Sequence, residues 1–477
     1  SASSPARMLL RRLYHDRLAQ AGYLIACQAT REAIVVDPLR DPAPYIDAAR
    51  QDGVRITYVT ETHIHADFLS GAAGLARTAG AELVLSGEGR GIAGYDRAAY
   101  PGARWLCDGD RLQVGRVRLD VMHVPGHTPE HIAFVVTDTA TGDAPMGIVS
   151  GDFLFVGDVG RPDLLERAAG VQGTMAESAR QLYASLQRLG VLPEYLQIWP
   201  GHGAGSACGK SLGAVPQSTL GYERRTNWAL GVTSEADFVA KVLAGQPEPP
   251  AYFARMKKLN ATGVPTLSTL REMHDADLRR VLEQGALAVD VRSPAEFAAG
   301  HLARSINVPL ANSFLTWAGS VIPPDRDAVL VANPTLRADA GMAVQQLHLI
   351  GLSRVLGVLA PERLATVMST PLHTLPTVEA RSLGNGAARG TTVLDVRNRS
   401  EWDEGHIPGA RHVPLPELTA RLDELRDAGP IAVHCQGGSR SAVAASVLAA
   451  AGLHDVSNVE GGYAAWVLAG NTPATGA

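Results

Sequence analysis

The sequence predicts an α/β multidomain protein: a β-rich α/β sandwich followed by two similar α/β domains with parallel sheets. Three observations carry this. The chain has 477 residues, and single hydrophobic cores stop growing at about 250–300 residues, so two to four domains are expected. An internal repeat is visible: LAVDVRSPAEFAAGHLARSINVPL begins at Leu287 and TTVLDVRNRSEWDEGHIPGARHVPL at Thr391. Asp290, Glu296, His301 and Pro309 match Asp395, Glu401, His406 and Pro414 in constant register. The region before Gly263 reads differently, as short apolar strands separated by Gly, Asp and Thr turns.

In that first region the strands are YLIAC, AIVVD, ITYVTET, ELVLS, RLDVMHV, HIAFVV and MGIVS. GAAGLARTAG and GVTSEADFVAKVLAG read as helices, and QPEPPAY as a Pro-rich exit. ARMKKLNATGVPTLSTL is expected to bridge into the repeats. Each repeat reads as a strand ending in Asp-Val-Arg, a short helix, Gly-His and a second short strand. The expected domains are 8–262, 263–372 and 373–475, with Met8 taken as the natural start.

Hydrophobic residues make up 46% and charged residues 19%, the composition of a globular chain. A net charge of −5 without a basic cluster argues against nucleic acid as a partner. No stretch reaches about 18 consecutive apolar residues, so no membrane span is expected. The start lacks the pattern of a secretory signal. Cys27, Cys107, Cys208 and Cys435 are far apart and form no CxxC pair, which speaks for a reducing compartment and against a zinc knuckle. The cytoplasm is the simplest expectation, and oligomeric state is left open, a homo-oligomer included.

Histidines and aspartates collect at strand ends, where ligands are usually gathered. VTETHIHADFLSG carries His63, His65 and Asp67; MHVPGHTPEH carries His127; IVSGDFLF carries Asp152; IWPGHG carries His202. A lone His is usually a packing residue, but four such placements together point to a metal. The donors are imidazole and carboxylate. Two His and one carboxylate with open positions suit non-haem Fe(II).

These motifs resemble the metallo-β-lactamase superfamily over about residues 8–260, which implies an αββα sandwich with one or two metals. Phe68 stands where two-metal members keep a further His, and a phenyl ring offers no lone pair, so one metal per chain is expected. Within the superfamily the chain is most similar to persulfide dioxygenases. That resemblance implies iron held by His63, His127 and Asp152, with His65, Asp67 and His202 around them as groups that orient ligands. GDVGRPD, Gly157 to Asp163, resembles a stretch of the same subgroup. Arg161 within it is either a structural ion pair or an anchor for a substrate carboxylate.

IAVHCQGGSRSAVAASVLAAAG is the second signal. A strand ends at Cys435, Gln436, Gly437, Gly438 and Ser439 form a short loop, Arg440 closes it, and an Ala-rich helix follows. Glycine backbone N–H groups and the helix N-terminus are expected to cradle charge on a bound sulfur. Tyrosine-type phosphatases place five residues between Cys and Arg; here there are four, a tighter cradle that suits sulfur better than phosphate. The domain resembles a single-domain rhodanese, VEGGYAAW included, which implies that Cys435 carries a persulfide with Arg440 beside it. Asp395, Glu401 and His406 read as supports of the fold. The first repeat has no cysteine; its matching loop has Asn333 and Pro334 near the nucleophile position, so it is expected to be a pseudo-rhodanese. Cys208, six residues after His202, is either a second sulfur-handling thiol or a packing residue; Cys27 and Cys107 are expected to pack.

The combined expectation is a persulfide dioxygenase and sulfurtransferase of sulfide oxidation. It would use Fe(II) and O2 on a small thiol persulfide, such as glutathione or coenzyme A persulfide, to make sulfite, and Cys435 to turn sulfite into thiosulfate. One alternative is a zinc thioesterase like glyoxalase II, with zinc on His63, His65 and His127. Another is a non-enzymatic sulfur carrier or scaffold.

Overall fold

The computed structural model describes residues 7–89, 94–167, 170–265, 273–332, 337–384 and 390–475. It divides into two compact units, 1–266 and 267–477.

The first unit is built on two six-stranded sheets. One runs in chain order through Met8–His15, Gln20–Cys27, Glu32–Val36, Arg55–Thr60, Glu82–Ser86 and Arg104–Leu106. The other runs Ser218–Thr219, Gln197–Pro200, Gly147–Gly151, Ile132–Asp138, Val117–His123 and Arg111–Val114. Their central strands, such as Gln20–Cys27, Ile132–Asp138 and Gly147–Gly151, are buried on both faces because both faces are covered. Tyr23, Ile25, Ile34 and Val36 meet Leu119, Phe134, Val136 and Val149 between the sheets. On its outer face the first sheet, through Leu24, Ala33 and Val35, packs on helices Ala43–Gln51 and Ala72–Ala79. The second sheet, through Ala133, Val135 and Ile148, packs on helices Met175–Gln187 and Glu235–Leu243. The result is a four-layer αββα sandwich. Each fully buried Ile or Phe there contributes about 1.5–3 kcal/mol.

The segment expected to bridge into the repeats contains the helix Phe253–Thr262, whose Met256, Lys257 and Asn260 are buried. It belongs to the first unit and reaches the histidine loop.

In the second unit each repeat has its own parallel sheet. The first runs Ile306–Asn307, Leu287–Asp290, Ala328–Val331, Val355–Leu359; the second runs Thr377–Glu379, Val456–Glu460, Ile431–His434, Thr392–Asp395, Arg411–His412. The repeats form one unit because the helix Ser439–Ala450 serves both. It packs on its own sheet and on strand Ile306–Asn307, and the Asn307 N–H donates to Ser446 Oγ at 2.8 Å. Ser441, Ala442, Ala444, Ala445 and Ser446 are all buried, which explains a helix of small residues: larger side chains would hold the two surfaces apart. The loop with Asn333 and Pro334 lies outside the described residues.

Candidate metal centre and cysteine site

The strand Arg55–Thr60 ends in the loop that carries His63, His65 and Asp67. His127 follows the strand Val117–His123, Asp152 follows Gly147–Gly151, and His202 follows Gln197–Pro200. All six side chains are buried. His63, His127 and Asp152 form one group whose ligand atoms lie within 4.8 Å of one another. Asp152 Oδ2 is 3.9 Å from His63 Nε2 and 3.6 Å from His127 Nε2, and it is buried with no hydrogen-bond partner. Bonds of about 2.0–2.2 Å to one ion are compatible with this spacing.

The protonation of both imidazoles follows from their outer partners. Thr62 Oγ1 donates to Asp37 Oδ2 at 2.9 Å, so His63 Nδ1, 2.9 Å from Thr62 Oγ1, donates to that hydroxyl oxygen. His127 Nδ1 donates to the Arg161 carbonyl at 3.0 Å. Each Nε2 is left with a lone pair turned toward Asp152. Burial lowers the pKa of His63 well below its ordinary value and that of His127 to about 4, so both rings stay neutral. The donor set therefore fits a divalent cation: two neutral imidazoles and a carboxylate oxygen that nothing else satisfies.

His202 bridges two carboxylates, Nδ1 at 2.7 Å from Asp152 Oδ1 and Nε2 at 2.9 Å from Asp67 Oδ2. Burial opposes charge on this ring, but Asp152 and Asp67 outweigh it and raise its pKa. His65 Nε2 donates to Asp37 Oδ1 at 3.0 Å, and its Nδ1 has no partner. Burial again opposes, and Asp37, Glu61 and Asp67 raise its pKa to about 9. The Phe68 ring lies 4.4 Å from the His65 ring and is fully buried, so this position packs against the loop.

Arg161 does not offer its guanidinium to a ligand. It binds both oxygens of Asp163, at 2.8 and 2.7 Å, and the carbonyls of Ala207 and Pro247, and it is fully buried. Its contribution to the site is the main-chain carbonyl under His127. Gly160 beside it has no room for a side chain, since a Cβ would fall 1.8 Å from the Asp152 carbonyl oxygen. Cys208 is buried within a second group of potential ligands, Asp67, His202 and Cys208. Burial and the carboxylates of Asp152 and Asp67 push its thiol pKa well up, which disfavours a free thiolate. Cys27 is buried, whereas Cys107 is exposed at a turn and does not pack.

Several contributors carried no motif. Asp37, at the end of AIVVD, binds the Thr62 N–H, Thr62 Oγ1 and His65. His131, four residues after His127, accepts the Asp152 N–H at 3.1 Å and stacks on His63 at 4.8 Å. Glu130 accepts the Ile64 N–H at 2.7 Å. Asn260 accepts from the Ser70 N–H and donates to the carbonyls of His65 and Phe68. An acidic residue closing the strand beside the histidine loop was a usable signal for Asp37. Asn260 had none, because its partners are main-chain atoms far away in sequence.

In the second unit Cys435 is buried at the end of its strand. The Gly438 N–H donates to Sγ at 3.2 Å, and Ser441 Oγ lies at 3.5 Å. Gly438 sits at φ 99°, and Ser439 opens the helix behind the sulfur. Gln436 and Gly437 are exposed. Gly462 is required by close approach: a Cβ there would fall 2.3 Å from the Cys435 carbonyl oxygen. The Arg440 guanidinium is bound to both oxygens of Glu401, at 2.7 and 2.6 Å, which ties the cysteine loop to the helix Arg399–Glu404.

A sequence model of the metallo-beta-lactamase superfamily matches residues 16–202, and one of the rhodanese-like domain matches 274–359 and 379–469. A crystal structure of a metallo-beta-lactamase from Staphylococcus aureus is 41% identical with a TM-score of 0.68, covering 74% of this chain and 99% of that one. The chain belongs to the metallo-beta-lactamase superfamily. More particularly, it joins a domain of that superfamily to two rhodanese-like domains. The mitochondrial persulfide dioxygenase ETHE1 of Bos taurus is 30% identical over 204 residues, 42% of this chain and 70% of that protein. A hydroxyacylglutathione hydrolase of Rhodospirillum rubrum is also 30% identical, over 181 residues, 38% of this chain and 60% of that protein. Among the described residues, no helix is long and apolar enough to cross a membrane.

Proposed function

We propose that the first unit is a non-haem Fe(II) persulfide dioxygenase and that Cys435 is the nucleophile of a sulfurtransferase acting on its product. The observation that carries the reading is the set His63, His127 and Asp152, three buried donors with one carboxylate oxygen left unsatisfied. Ferrous iron bound there supplies one-electron chemistry toward O2 and open positions for substrate. The chain's own residues do the rest. Thr62 with Asp37, and the Arg161 carbonyl, hold the two imidazoles in the tautomer that keeps Nε2 free. His202 and the His131 ring fix Asp152 from its side chain and its main chain.

The overall change is RSSH + O2 + H2O → RSH + SO3²⁻ + 2H⁺. The Cys435 thiolate then attacks the outer sulfur of a second persulfide, releases the thiol, and carries a persulfide. Sulfite attacks that outer sulfur, thiosulfate leaves, and the thiolate is restored. Gly438 N–H is placed to stabilise the sulfur charge in both steps.

The test is metal analysis of protein purified without added metal, with O2 uptake on glutathione persulfide. About one iron per chain is expected, with uptake lost on chelation and restored by Fe(II) but not by Zn(II). Bound zinc, no O2 uptake and cleavage of an S-acyl glutathione would overturn the reading. That result belongs to a second reading, a metal-dependent thioesterase, which is favoured by the likeness to a hydroxyacylglutathione hydrolase and by the group Asp67, His202 and Cys208. A metal count of two per chain would favour it further.

A further inference from the structure

A cleft of about 320 Å³ opens beside the cysteine loop, lined by Arg397, Glu401, Glu404, Gly405, Gln436 and Tyr463. Gln436 directly follows Cys435, and the Tyr463 N–H donates to the Cys435 carbonyl at 2.8 Å. The cleft therefore lies against the main chain of the cysteine loop, within reach of the organic half of a donor whose sulfur meets Cys435.

Its charges are nearly all spent. The loop residues Gln436 to Ser439 carry none. Arg440 is held by Glu401. Arg397 is bound to both oxygens of Asp395 and to the Gly405 carbonyl, donates to Gln436 Oε1, and lies 3.9 Å over the Tyr463 ring. Each guanidinium is thus matched by one carboxylate. Glu404, exposed on the lip, has no cation paired with it among the described residues. A carrier carboxylate entering the cleft meets no free cation, whereas an ammonium group meets an unpaired carboxylate.

We propose that this cleft binds the organic half of a persulfide donor that bears an ammonium group, with Glu404 as its counter-charge. The proposal rests on the sulfurtransferase reading of Cys435 and names the donor class for it. In the transfer, the Cys435 thiolate forms a bond to the outer sulfur of R–S–SH, the S–S bond between the outer and inner sulfurs breaks, and the thiol RSH leaves with the persulfide proton, so that Cys435 keeps a persulfide anion. No oxidant enters or leaves.

The test compares two small donors on the full chain, cysteamine persulfide and 3-mercaptopropionate persulfide. The initial rate at which Cys435 gains one sulfur is read by mass spectrometry. The two leaving thiols differ in acidity and so in intrinsic rate, so the readout is the change in the ammonium-to-carboxylate rate ratio between proteins. That ratio should fall about fivefold in Glu404→Gln, the factor an exposed charge pair supplies, and further in Glu404→Lys. Glu404 is exposed, so both variants are expected to fold. An unchanged ratio in Glu404→Lys overturns the assignment of the cleft and leaves the transferase reading standing. No loading from either donor overturns the transferase reading and this one with it.

Discussion

The two rhodanese-like repeats share a frame and differ in one circuit. In both, an Asp at the strand end binds an Arg two residues on: Asp290 to Arg292, Asp395 to Arg397. In both, a His stacks on the aromatic residue four positions earlier: His301 on Phe297 at 3.9 Å, His406 on Trp402 at 3.7 Å. Both short helices open with a capping box, Ser293 with Glu296 and Asn398 with Glu401. The difference begins at the glutamate. Glu296 turns back to its own cap, accepting from the Ser293 N–H and hydroxyl. Glu401 caps Asn398 and also reaches Arg440, at the end of the cysteine loop. The same residue type thus closes a helix in one repeat and ties a helix to the cysteine loop in the other. The Cys-less repeat has a mechanical part as well, because its strand Ile306–Asn307 supports the helix behind Cys435.

Changing Cys435→Ser makes the second repeat chemically like the first, and it carries the largest expected effect. Thiosulfate formation should cease and sulfite should accumulate, with O2 uptake retained. Unchanged thiosulfate yield would sink the coupled scheme. The paired variants Glu401→Ala and Glu296→Ala come next. Loss of Glu401 removes a cap bond and both bonds to Arg440, and should cost about 2 kcal/mol in urea unfolding, with sulfur transfer slowed about tenfold. Loss of Glu296 removes the cap bond alone, about 0.5–1 kcal/mol, and should leave transfer rates as they are. Equal effects from the two would remove the distinction between the repeats. Ser446→Ala is the smallest. It leaves the buried Asn307 N–H without its acceptor and should cost about 1 kcal/mol. A stability equal to wild type would show that the first repeat does not brace the helix through this bond.

A good deal of this was legible from residue order. Apolar runs and the turns between them marked the sheets of the sandwich, because its central strands bury both faces and are closed by Gly, Asp or Thr. The repeat was legible because its supports are local: an Asp-Arg pair two apart, a capping box three apart, a His-aromatic stack four apart. The motifs containing His63, His127 and Asp152 stood out because ligands gather where strands end. The roles of the residues around them were not legible in this way. Arg161 could be read as an anchor or as an ion pair, and only the fold shows its guanidinium enclosed by Asp163 and two carbonyls. Asp37 and Asn260 act through hydrogen bonds to segments far along the chain, which no periodicity records.

The sequence by itself determined the layered α/β architecture, the duplication, a phenyl side chain without a lone pair at Phe68 and a cysteine in one of the two repeats only. These depend on residue type and short spacing, the quantities that govern backbone propensity and local hydrogen bonds. Only the tertiary structure decided which imidazole nitrogen is free, where Arg440 spends its charge, and that Glu404 is left unpaired on a cleft it shares with Gln436. Those depend on which groups are brought within hydrogen-bond distance once water is excluded, and burial sets the cost of leaving any of them unmatched.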